Sequence, residues 1–419
     1  MTIQRINPIS SLTGRINVPG DKSISHRTLM LAALAKGNSE ISGLSTGQDV
    51  QQTQFIISAL GAKVESDNGI CLIEGGKFET PNEVLDVGNS GTGIRLFAGL
   101  LSGIPLRAVI DGDSSIQSRP MDRVISPLRQ MGADIRSRDD NGYAPLEIIG
   151  KELVGIEYEM PVPSAQVKSA ILFAGLSAQT PTTVLETQPT RTHTEELMAM
   201  YGVDLKTNQN EITVAPGRPE PFKHKVEGDP SQAAFWAVAG TIVQNSHIEI
   251  ENLYLGPTRT GFIAVLQRMG ADLQINQETG ELVVRSSQLQ ATNVEPHEVP
   301  SMIDEIPILA VAAACAEGTT VFEGLSELRV KETNRLETIQ SELTHMGIAV
   351  EIEQDSLIIH GGSIAGGNVN SHGDHRIAMA CAIAALVSES STSIEGWEAV
   401  STSYPGFKND LECLSGEGV

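Results

Sequence analysis

Residues 130–150, QMGADIRSRDDNGYAPLEIIG, contain the pattern that decides the fold. A glycine ends a helix, a short strand of alternating apolar and polar residues follows, and a polar turn leads to a second strand. The same pattern recurs at residues 59–76, 200–217, 268–286 and 345–362, so the period is about 70 residues. We therefore predict that the chain consists of repeated structural units.

A second element recurs in step with the first: a short polar segment opens a helix rich in Ala, Leu and Ile. Gly, Ser, Asp and Asn are typical of helix starts, and an apolar surface on most faces indicates a buried helix. The sequence thus predicts an α/β fold of two pseudo-threefold domains, each with three repeated βαβαββ-type units and buried helices. The six openings are GDKSISHR (20–27), GNSGTGIR (88–95), PSAQVKS (163–169), GDPSQAA (228–234), IDEIP (303–307) and GDHRIAM (373–379).

The domain boundaries are predicted from two similar stretches, PGDK at 19–22 and EGDP at 227–230. No Pro- or Ser-rich linker separates the two halves. We expect residues 1–20 and 229–419 to form one discontinuous domain and residues 21–228 to form the other, with the active site in the cleft between them.

The composition limits the class of partner. The chain has 29 Lys and Arg against 52 Asp and Glu, a formal net charge of −23, which argues against nucleic acid because that partner needs a basic surface. The start has no apolar signal-peptide core, and the longest apolar run, residues 377–387, is too short to span a bilayer. No phosphate-loop, dinucleotide or metal-ligand motif occurs. We expect a cytoplasmic protein with no cofactor, no metal, no membrane and no nucleic acid.

The helix openings share cations, hydroxyls and acids. A helix N-terminus attracts anions because its N–H groups are unpaired, and Lys or Arg strengthens that attraction. A single opening of this kind is more often a capped helix or a surface charge pair, but the joint pattern predicts a cleft for a polyanionic ligand. The pattern rests on Lys22, Ser23, Arg27, Asn89, Gly91, Thr92, Arg119, Ser164, Gln166, Lys168, Asp304, Glu305, Lys331, Glu332, Arg335, Asp374, His375 and Arg376.

These residues lie in motifs that resemble one family. PGDKSISHR, GNSGTGIR, SRPM, SAQVKSA, IDEIP, RVKETNRL and GDHRIAMA, in this order, are similar to motifs of the 5-enolpyruvylshikimate-3-phosphate synthase family of enolpyruvyl transferases. The resemblance implies the family's inside-out barrel of two three-unit domains. It also implies transfer of the enolpyruvyl (carboxyvinyl) group of phosphoenolpyruvate to the 5-hydroxyl of shikimate 3-phosphate, by addition and elimination through a tetrahedral intermediate. This is a step of the shikimate pathway to aromatic amino acids, and it needs no cofactor.

The resemblance also implies roles for individual residues. Asp304 would accept the 5-hydroxyl proton, Glu332 would exchange a proton with the methylene carbon, and Lys22 would contact both substrates. The implied shikimate 3-phosphate ligands are Lys22, Ser23, Arg27, Ser164, Ala165, Gln166, Arg191, Asp304 and Lys331. The implied phosphoenolpyruvate ligands are Lys22, Gly91, Arg119, Gln166, Arg335 and Arg376. Gly91 would line the region where the inhibitor glyphosate competes, and we expect a monomer.

Alternatives stay open. The enolpyruvyl transferases of UDP-N-acetylglucosamine have a similar size and mechanism, but they usually carry a reactive cysteine in the loop near residues 111–120, which has none here. A nucleic-acid-end enzyme of related repeat fold is disfavoured by the net charge. A non-catalytic anion-binding relative is disfavoured because Asp304 and Glu332 would oppose anion binding without serving proton transfer.

Overall fold

The structure is a computed structural model that describes residues 2–416. In this part of the chain the first strands are β1 (Ile3–Ile6), β2 (Thr13–Ile16), β3 (Gly37–Ser42), β4 (Lys63–Asp67), β5 (Ile70–Gly75), β6 (Leu85–Asp86), β7 (Arg107–Asp111), β8 (Asp134–Ser137), β9 (Leu146–Ile149), β10 (Glu157–Glu159), β11 (Thr182–Leu185), β12 (Leu205–Asn208), β13 (Glu211–Val214) and β14 (Lys223–Lys225). The later strands are β15 (His247–Ile250), β16 (Asp272–Asn276), β17 (Glu281–Arg285), β18 (Asn293–Val294), β19 (Thr319–Phe322), β20 (Ala349–Glu353), β21 (Ser356–His360), β22 (Gly367–Asn370) and β23 (Thr392–Glu395).

The α-helices of the same residues alternate with these strands. They are α1 (Lys22–Leu34), α2 (Gln48–Ala59), α3 (Gly91–Ser102), α4 (Ser114–Ser118), α5 (Asp122–Gln130), α6 (Ala165–Gly175), α7 (His193–Met200), α8 (Pro230–Ile242), α9 (Gly261–Arg268), α10 (Ile306–Ala314), α11 (Arg335–His345), α12 (His375–Ala385) and α13 (Phe407–Ser415). Short 3₁₀ helices lie at Arg138–Asp140, Val299–Ser301, Ser326–Val330 and Trp397–Thr402. Among the described residues, each helix is too short or too polar to cross a membrane.

The chain forms two compact units. Unit 1 contains the residues up to Asp21 and those from Glu227 onward, and unit 2 is Lys22–Val226. The boundaries differ slightly from those expected from the sequence, because Asp21, Glu227 and Gly228 are grouped with unit 1. The reason is that the Asp21 N–H donates to the Glu227 carbonyl (2.7 Å) and Gly20 forms a β-bridge with Gly228.

Residues 22–226, all of which are described, form three four-stranded sheets with one topology. The first pair of strands in each sheet is parallel and the other two pairs are antiparallel. Each sheet with its two helices is a βαβαββ unit. The strand orders are β14-β3-β5-β4, β6-β7-β9-β8 and β10-β11-β13-β12.

In the described part of unit 1 two sheets repeat this topology, in the orders β2-β15-β17-β16 and β18-β19-β21-β20, whereas the third, β22-β23-β1, has three strands. The third sheet is completed from the beginning of the chain, because β1 pairs antiparallel with β23. Two edge strands pair with strands of their own unit that are distant in the sequence. Strand β2 precedes α1 in the sequence but pairs with β15, and β14 precedes α8 but pairs with β3.

One helix of each repeat is buried: α1, α3 and α6 in unit 2, and α8, α10 and α12 in unit 1. All residues of α10 and α12 are buried, as expected for helices that are apolar on every face. Helices α3 and α6 approach closely at Gly99, where a Cβ would overlap the Ala170 backbone. The prediction of an α/β fold with repeated units and buried helices is confirmed.

Candidate active site

The predicted site residues form two groups, one in each unit, and most lie at the N-terminal ends of helices. In unit 2, Lys22 and Ser23 begin α1, Gly91 begins α3, and Ala165 and Gln166 begin α6. In unit 1 the corresponding starts belong to α10, α11 and α12. Helix starts suit this role because their unpaired N–H groups and dipoles favour anions.

Gly91, Arg119 and Gln166 lie together in unit 2. A Cβ at Gly91 would overlap the Nη1 atom of Arg119, a side chain that is buried. The amide of Gln166 is fixed at both ends, because its Nε2 donates to Thr92 Oγ1 (3.0 Å) and its Oε1 accepts from Arg95 Nη1 (2.9 Å). These contacts bring three of the residues predicted to bind phosphoenolpyruvate to one place.

Arg95 was missed as an individual residue, although it ends the quoted motif GNSGTGIR. Its guanidinium also donates to the carbonyls of Gly91 (3.0 Å) and Pro120 (3.2 Å). It therefore connects the start of α3 to the start of α6 and to the residue after Arg119. The available signal was its position four residues after Gly91, on the same face of a helix.

Lys22 and Arg27 both lie in α1, but they contact different residues. The Lys22 ammonium forms an ion pair with Asp49 of α2 (2.9 Å) and retains 16% exposure of its side chain. Arg27 is buried, and its guanidinium donates to Thr194 Oγ1 (2.6 Å), Ser169 Oγ (2.7 Å) and the Ser23 carbonyl (2.9 Å). Arg27 thus connects α1 to α6 and α7. Asp49 was not identified from the sequence because it lies in another helix.

His26 is a buried neighbour of both cations. Burial lowers its pKa well below the ordinary value, and the charges of Lys22 and Arg27 act in the same direction. Its ring contacts Thr53 Oγ1 (2.7 Å) and Ser90 Oγ (3.4 Å), and Ser90 caps α3 by accepting the Gly93 N–H. The imidazole is therefore neutral at pH 7 and connects the start of α3 to α1 and α2.

The remaining predicted site residues of unit 2 lie at the starts of α6 and α7. Ser164 caps α6 by accepting the Val167 N–H (3.3 Å), and Ala165 is the first residue of that helix. Arg191 is half-buried just before α7.

Lys168 has a different role from the one its position suggested. Its ammonium is fully buried and forms ion pairs with Glu186 (3.0 Å) and Glu195 (2.5 Å). Burial raises the pKa of Glu195, although Lys168 opposes that effect. Lys168 is therefore part of the interior of unit 2, where it compensates two buried carboxylates.

In unit 1 the structure brings together Asp304, Lys331, Glu332 and Arg335. Asp304 Oδ1 lies 3.4 Å from Lys331 Nζ and 3.5 Å from Arg335 Nη1. Glu332 Oε2 lies 2.6 Å from Arg335 Nη2. The two carboxylates predicted to transfer protons are therefore held by one buried guanidinium.

Arg335 has a third acidic partner. Asp374 accepts from its Nε (2.7 Å) and Nη2 (3.2 Å), and it also caps α12 by accepting the Arg376 N–H (2.9 Å). Burial would raise the pKa of Asp374, but the charges of Arg335 and His375 and the hydrogen bond from Arg335 together outweigh it, so the pKa lies below its ordinary value. The sequence grouped Asp374 with the anion-binding residues, whereas here it positions Arg335 and the start of α12.

Arg376 is the second residue of α12, and its side chain is buried. Its Nη1 is enclosed and has no hydrogen-bond partner among the described residues. A buried guanidinium nitrogen without an acceptor is costly, because desolvation is not offset by a hydrogen bond. A bound anion would supply that acceptor.

The fold of repeated units identifies the structural class of the protein. The solved enolpyruvyl transferase NikO of Streptomyces tendae matches 98% of this chain and 97% of its own length with a TM-score of 0.80. At 16% identity this similarity shows the fold alone. The chain therefore has the fold of the enolpyruvyl transferases.

Closer similarities define the family. A family model described as EPSP synthase (3-phosphoshikimate 1-carboxyvinyltransferase) matches residues 6–411. The solved EPSP synthase of Acinetobacter baumannii is 38% identical, covers 98% of each chain and has a TM-score of 0.87. The 3-phosphoshikimate 1-carboxyvinyltransferases of Herpetosiphon aurantiacus (45% identical, 96% of this chain and 97% of that one) and Geobacillus thermodenitrificans (46% identical, 97% of both) are similar over nearly the full length. The chain belongs to the EPSP synthase family.

Proposed function

We propose that this chain transfers the carboxyvinyl group of phosphoenolpyruvate to the 5-hydroxyl of shikimate 3-phosphate and releases phosphate. Family membership over residues 6–411 is the observation that supports the reaction. The alternative acceptor, a UDP-sugar, has no such support. A monomeric state and a cytoplasmic location remain predictions, and light scattering after size exclusion tests the first of them.

For each substrate, the proposed binding residues come from both groups. Shikimate 3-phosphate is held by Lys22, Ser23, Arg27, Ser164, Ala165, Gln166, Arg191, Asp304 and Lys331, and phosphoenolpyruvate by Lys22, Gly91, Arg119, Gln166, Arg335 and Arg376. Both substrates carry a phosphate and a carboxylate, so charge-assisted hydrogen bonds from Lys and Arg suit them. The clustering of Gly91, Arg119 and Gln166 and the unpartnered Nη1 of Arg376 support these roles. The residues come from both units, and the cleft predicted between the units is part of this proposal.

The proposed chemistry uses two carboxylates. Asp304 accepts the 5-hydroxyl proton as that oxygen bonds to the phosphate-bearing carbon of phosphoenolpyruvate, while the methylene carbon gains a proton through Glu332. Elimination reverses the second step: Glu332 takes a proton from the new methyl group, the double bond returns and the C–O bond to phosphate breaks. Lys331 and Arg335 lie 3.4 and 3.5 Å from Asp304, so these two cations hold the proposed proton acceptor in place.

The deciding experiment measures phosphate release from phosphoenolpyruvate with shikimate 3-phosphate as acceptor, and in parallel with UDP-N-acetylglucosamine. We expect release with shikimate 3-phosphate only. Release with the UDP-sugar alone would identify the other transferase activity. Binding of both substrates without release would identify a non-catalytic relative.

A further inference from the structure

The buried arginine Arg259 lies in unit 1 just before α9 and has no role in the proposed site. Its side chain is 2% exposed, and its Nη2 donates to Asp229 Oδ1 (2.6 Å), Asp21 Oδ2 (3.0 Å) and Ser231 Oγ (3.0 Å). Burial would lower the pKa of Arg259, but the surrounding carboxylates, Asp21 and Asp229 foremost, together outweigh it and raise the pKa. Arg259 is therefore a permanently charged group with internal anionic partners.

The two carboxylates come from the two segments where the chain passes between the units. Asp21 ends the first segment and Asp229 ends the second. The backbones of the segments are also joined, because the Asp21 N–H donates to the Glu227 carbonyl (2.7 Å) and the Asp229 N–H donates to the Pro19 carbonyl (2.9 Å). Arg259 thus cross-links both segments through their side chains.

The partners of Arg259 lie next to two residues of the proposed site. Asp21 directly precedes Lys22. The hydroxyl of Ser231 donates to the carboxylate of Glu305, and Glu305 directly follows Asp304 at the start of α10. Consecutive Cα atoms are about 3.8 Å apart, so a shift of either partner is transmitted to its neighbour in the site.

Arg259 lies in a repeated motif, and comparison of the two copies indicates that Arg259 is not a ligand-binding residue. The sequence PTRT occurs at 189–192 before α7 and again at 257–260 before α9. In the first copy Arg191 is proposed to bind shikimate 3-phosphate. In the second copy the equivalent Arg259 already has two carboxylate partners, so its position in the repeat serves the interior of unit 1.

We propose that Arg259 is a positioning residue for the transferase reaction: it fixes Lys22 through Asp21, and Asp304 through Ser231 and Glu305. This inference rests on the site proposed above. The connection to Lys22 through Asp21 should affect substrate binding, because Lys22 is proposed to contact both substrates. The connection to Asp304 through Ser231 and Glu305 should affect turnover, because Asp304 is proposed to accept a proton.

The test compares Arg259→Gln, Asp21→Asn and Ser231→Ala with Arg268→Gln, which removes an arginine ion pair (2.8 Å to Glu298) from α9, the helix that follows Arg259. We expect Arg259→Gln to lower kcat/KM by about 100-fold, the size of effect that a 1 Å misplacement can cause. Asp21→Asn should mainly raise KM for both substrates. Ser231→Ala should mainly lower kcat and move its pH profile. Arg268→Gln should match the wild type.

A merely structural role has a different signature. Arg259→Gln would then lower the urea midpoint of unfolding while the folded enzyme kept wild-type kcat, KM and pH profile, and this result would overturn the inference.

If Arg259→Gln does not fold, Asp21→Asn and Ser231→Ala decide the matter, because each leaves Arg259 with another partner. Wild-type kinetics in both variants would overturn the inference. Lys22→Ala and Asp304→Ala are measured in parallel. Full turnover in these two would remove the site assignment together with the inference, whereas their inactivity beside wild-type Arg259→Gln would remove the inference alone.

Discussion

Gly91 has no room for a side chain, because a Cβ there would overlap Arg119 Nη1 and lie 3.0 Å from Arg95 Nη1. Gly91→Ala must therefore move Arg119, and we expect KM for phosphoenolpyruvate to rise by about 10- to 100-fold, as for the loss of one charge-assisted hydrogen bond. Steady-state kinetics measure this. Gly217→Ala is the matched control, since nothing lies within 4 Å of a Cβ at that position. An unchanged KM in Gly91→Ala would contradict the placement of Arg119 in the site.

A second prediction for a single residue concerns Arg376 and its effect on phosphoenolpyruvate kinetics. Because its buried Nη1 lacks an acceptor, we expect a bound anion to be its partner and Arg376→Ala to lower kcat/KM for phosphoenolpyruvate by about 100-fold. Circular dichroism should show an intact fold. Arg285→Ala removes a half-exposed arginine of unit 1 whose carboxylate partner is 3.9 Å away, and it should leave the kinetics unchanged. Equal kinetics in the two variants would remove Arg376 from the site.

The sequence could identify residues whose chemistry is repeated at helix starts, but it could not identify their partners. Lys22 and Arg376 stood out because a cation beside a Gly or Asp at the start of an apolar helix is a local pattern. Arg335 stood out through its spacing of four residues from Lys331, although α11 begins only at Arg335. Asp49 and Arg259 did not, because each acts on a residue from a different part of the chain. Arg259 contacts Asp21 from 238 residues away, and no local pattern reports such a contact.

At the scale of elements, α12 depends on Asp374 both as a helix cap and as the partner of Arg335. Asn caps a helix about as well as Asp, so Asp374→Asn isolates the loss of the ion pair. We expect the free energy of unfolding at pH 7 to fall by about 3–5 kcal/mol, because a buried cation loses a charged partner. Urea unfolding measures it, and Asp355→Asn, at an exposed ion pair with Arg329, should have little effect.

The same pair predicts a dependence on pH. The folded-state pKa of Asp374 is below its ordinary value, so its stabilisation is complete above the unfolded-state value of about 4 and is lost as the pH falls through the folded-state value. The unfolding free energies of wild type and Asp374→Asn should therefore converge as the pH is lowered below about 4. A constant difference down to low pH would show that the ionised form of Asp374 is not the stabilising one.

The elements themselves were more predictable than their contacts. Five helix-ending glycines and six apolar helices are local signals, and the observed positive φ of Gly61 (106°) and Gly132 (96°) matches the helix-end geometry expected of the repeat. Lys168 was misjudged because the sequence shows a cation near a helix start but not the two glutamates that fold onto it. The short helices α4 and Val299–Ser301 gave no periodic signal, since they are too short to show one.

At the scale of the whole molecule, the proposed site takes cations from both units, so one ligand must contact both. We expect shikimate 3-phosphate with glyphosate to reduce the radius of gyration, measured by small-angle X-ray scattering, because bound anions draw the cations together. The Arg376→Ala variant under the same conditions should respond less. A radius that does not change in the wild-type protein would contradict a shared site.

At this scale, the sequence does not predict which strands pair with each other. The likeness of PGDK and EGDP marks two crossovers, but no residue in either stretch reports which sheet the preceding strand joins. The pairing of β2 with β15 in unit 1, and of β14 with β3 in unit 2, depends on tertiary contacts between distant parts of the sequence.

The long sequence separation between these paired strands has a consequence for synthesis on the ribosome. Unit 2 is continuous from Lys22 to Val226, so it can close once β14 has emerged, whereas β2 must wait for β15 and β1 must wait for β23 near the end of the chain. Strands β1 and β2 are thus synthesised long before their partners. A nascent chain that stops short of β23 exposes unpaired strand edges, which favour aggregation. Proteolysis of ribosome-bound chains of increasing length should therefore find unit 2 protected well before residues 3–6.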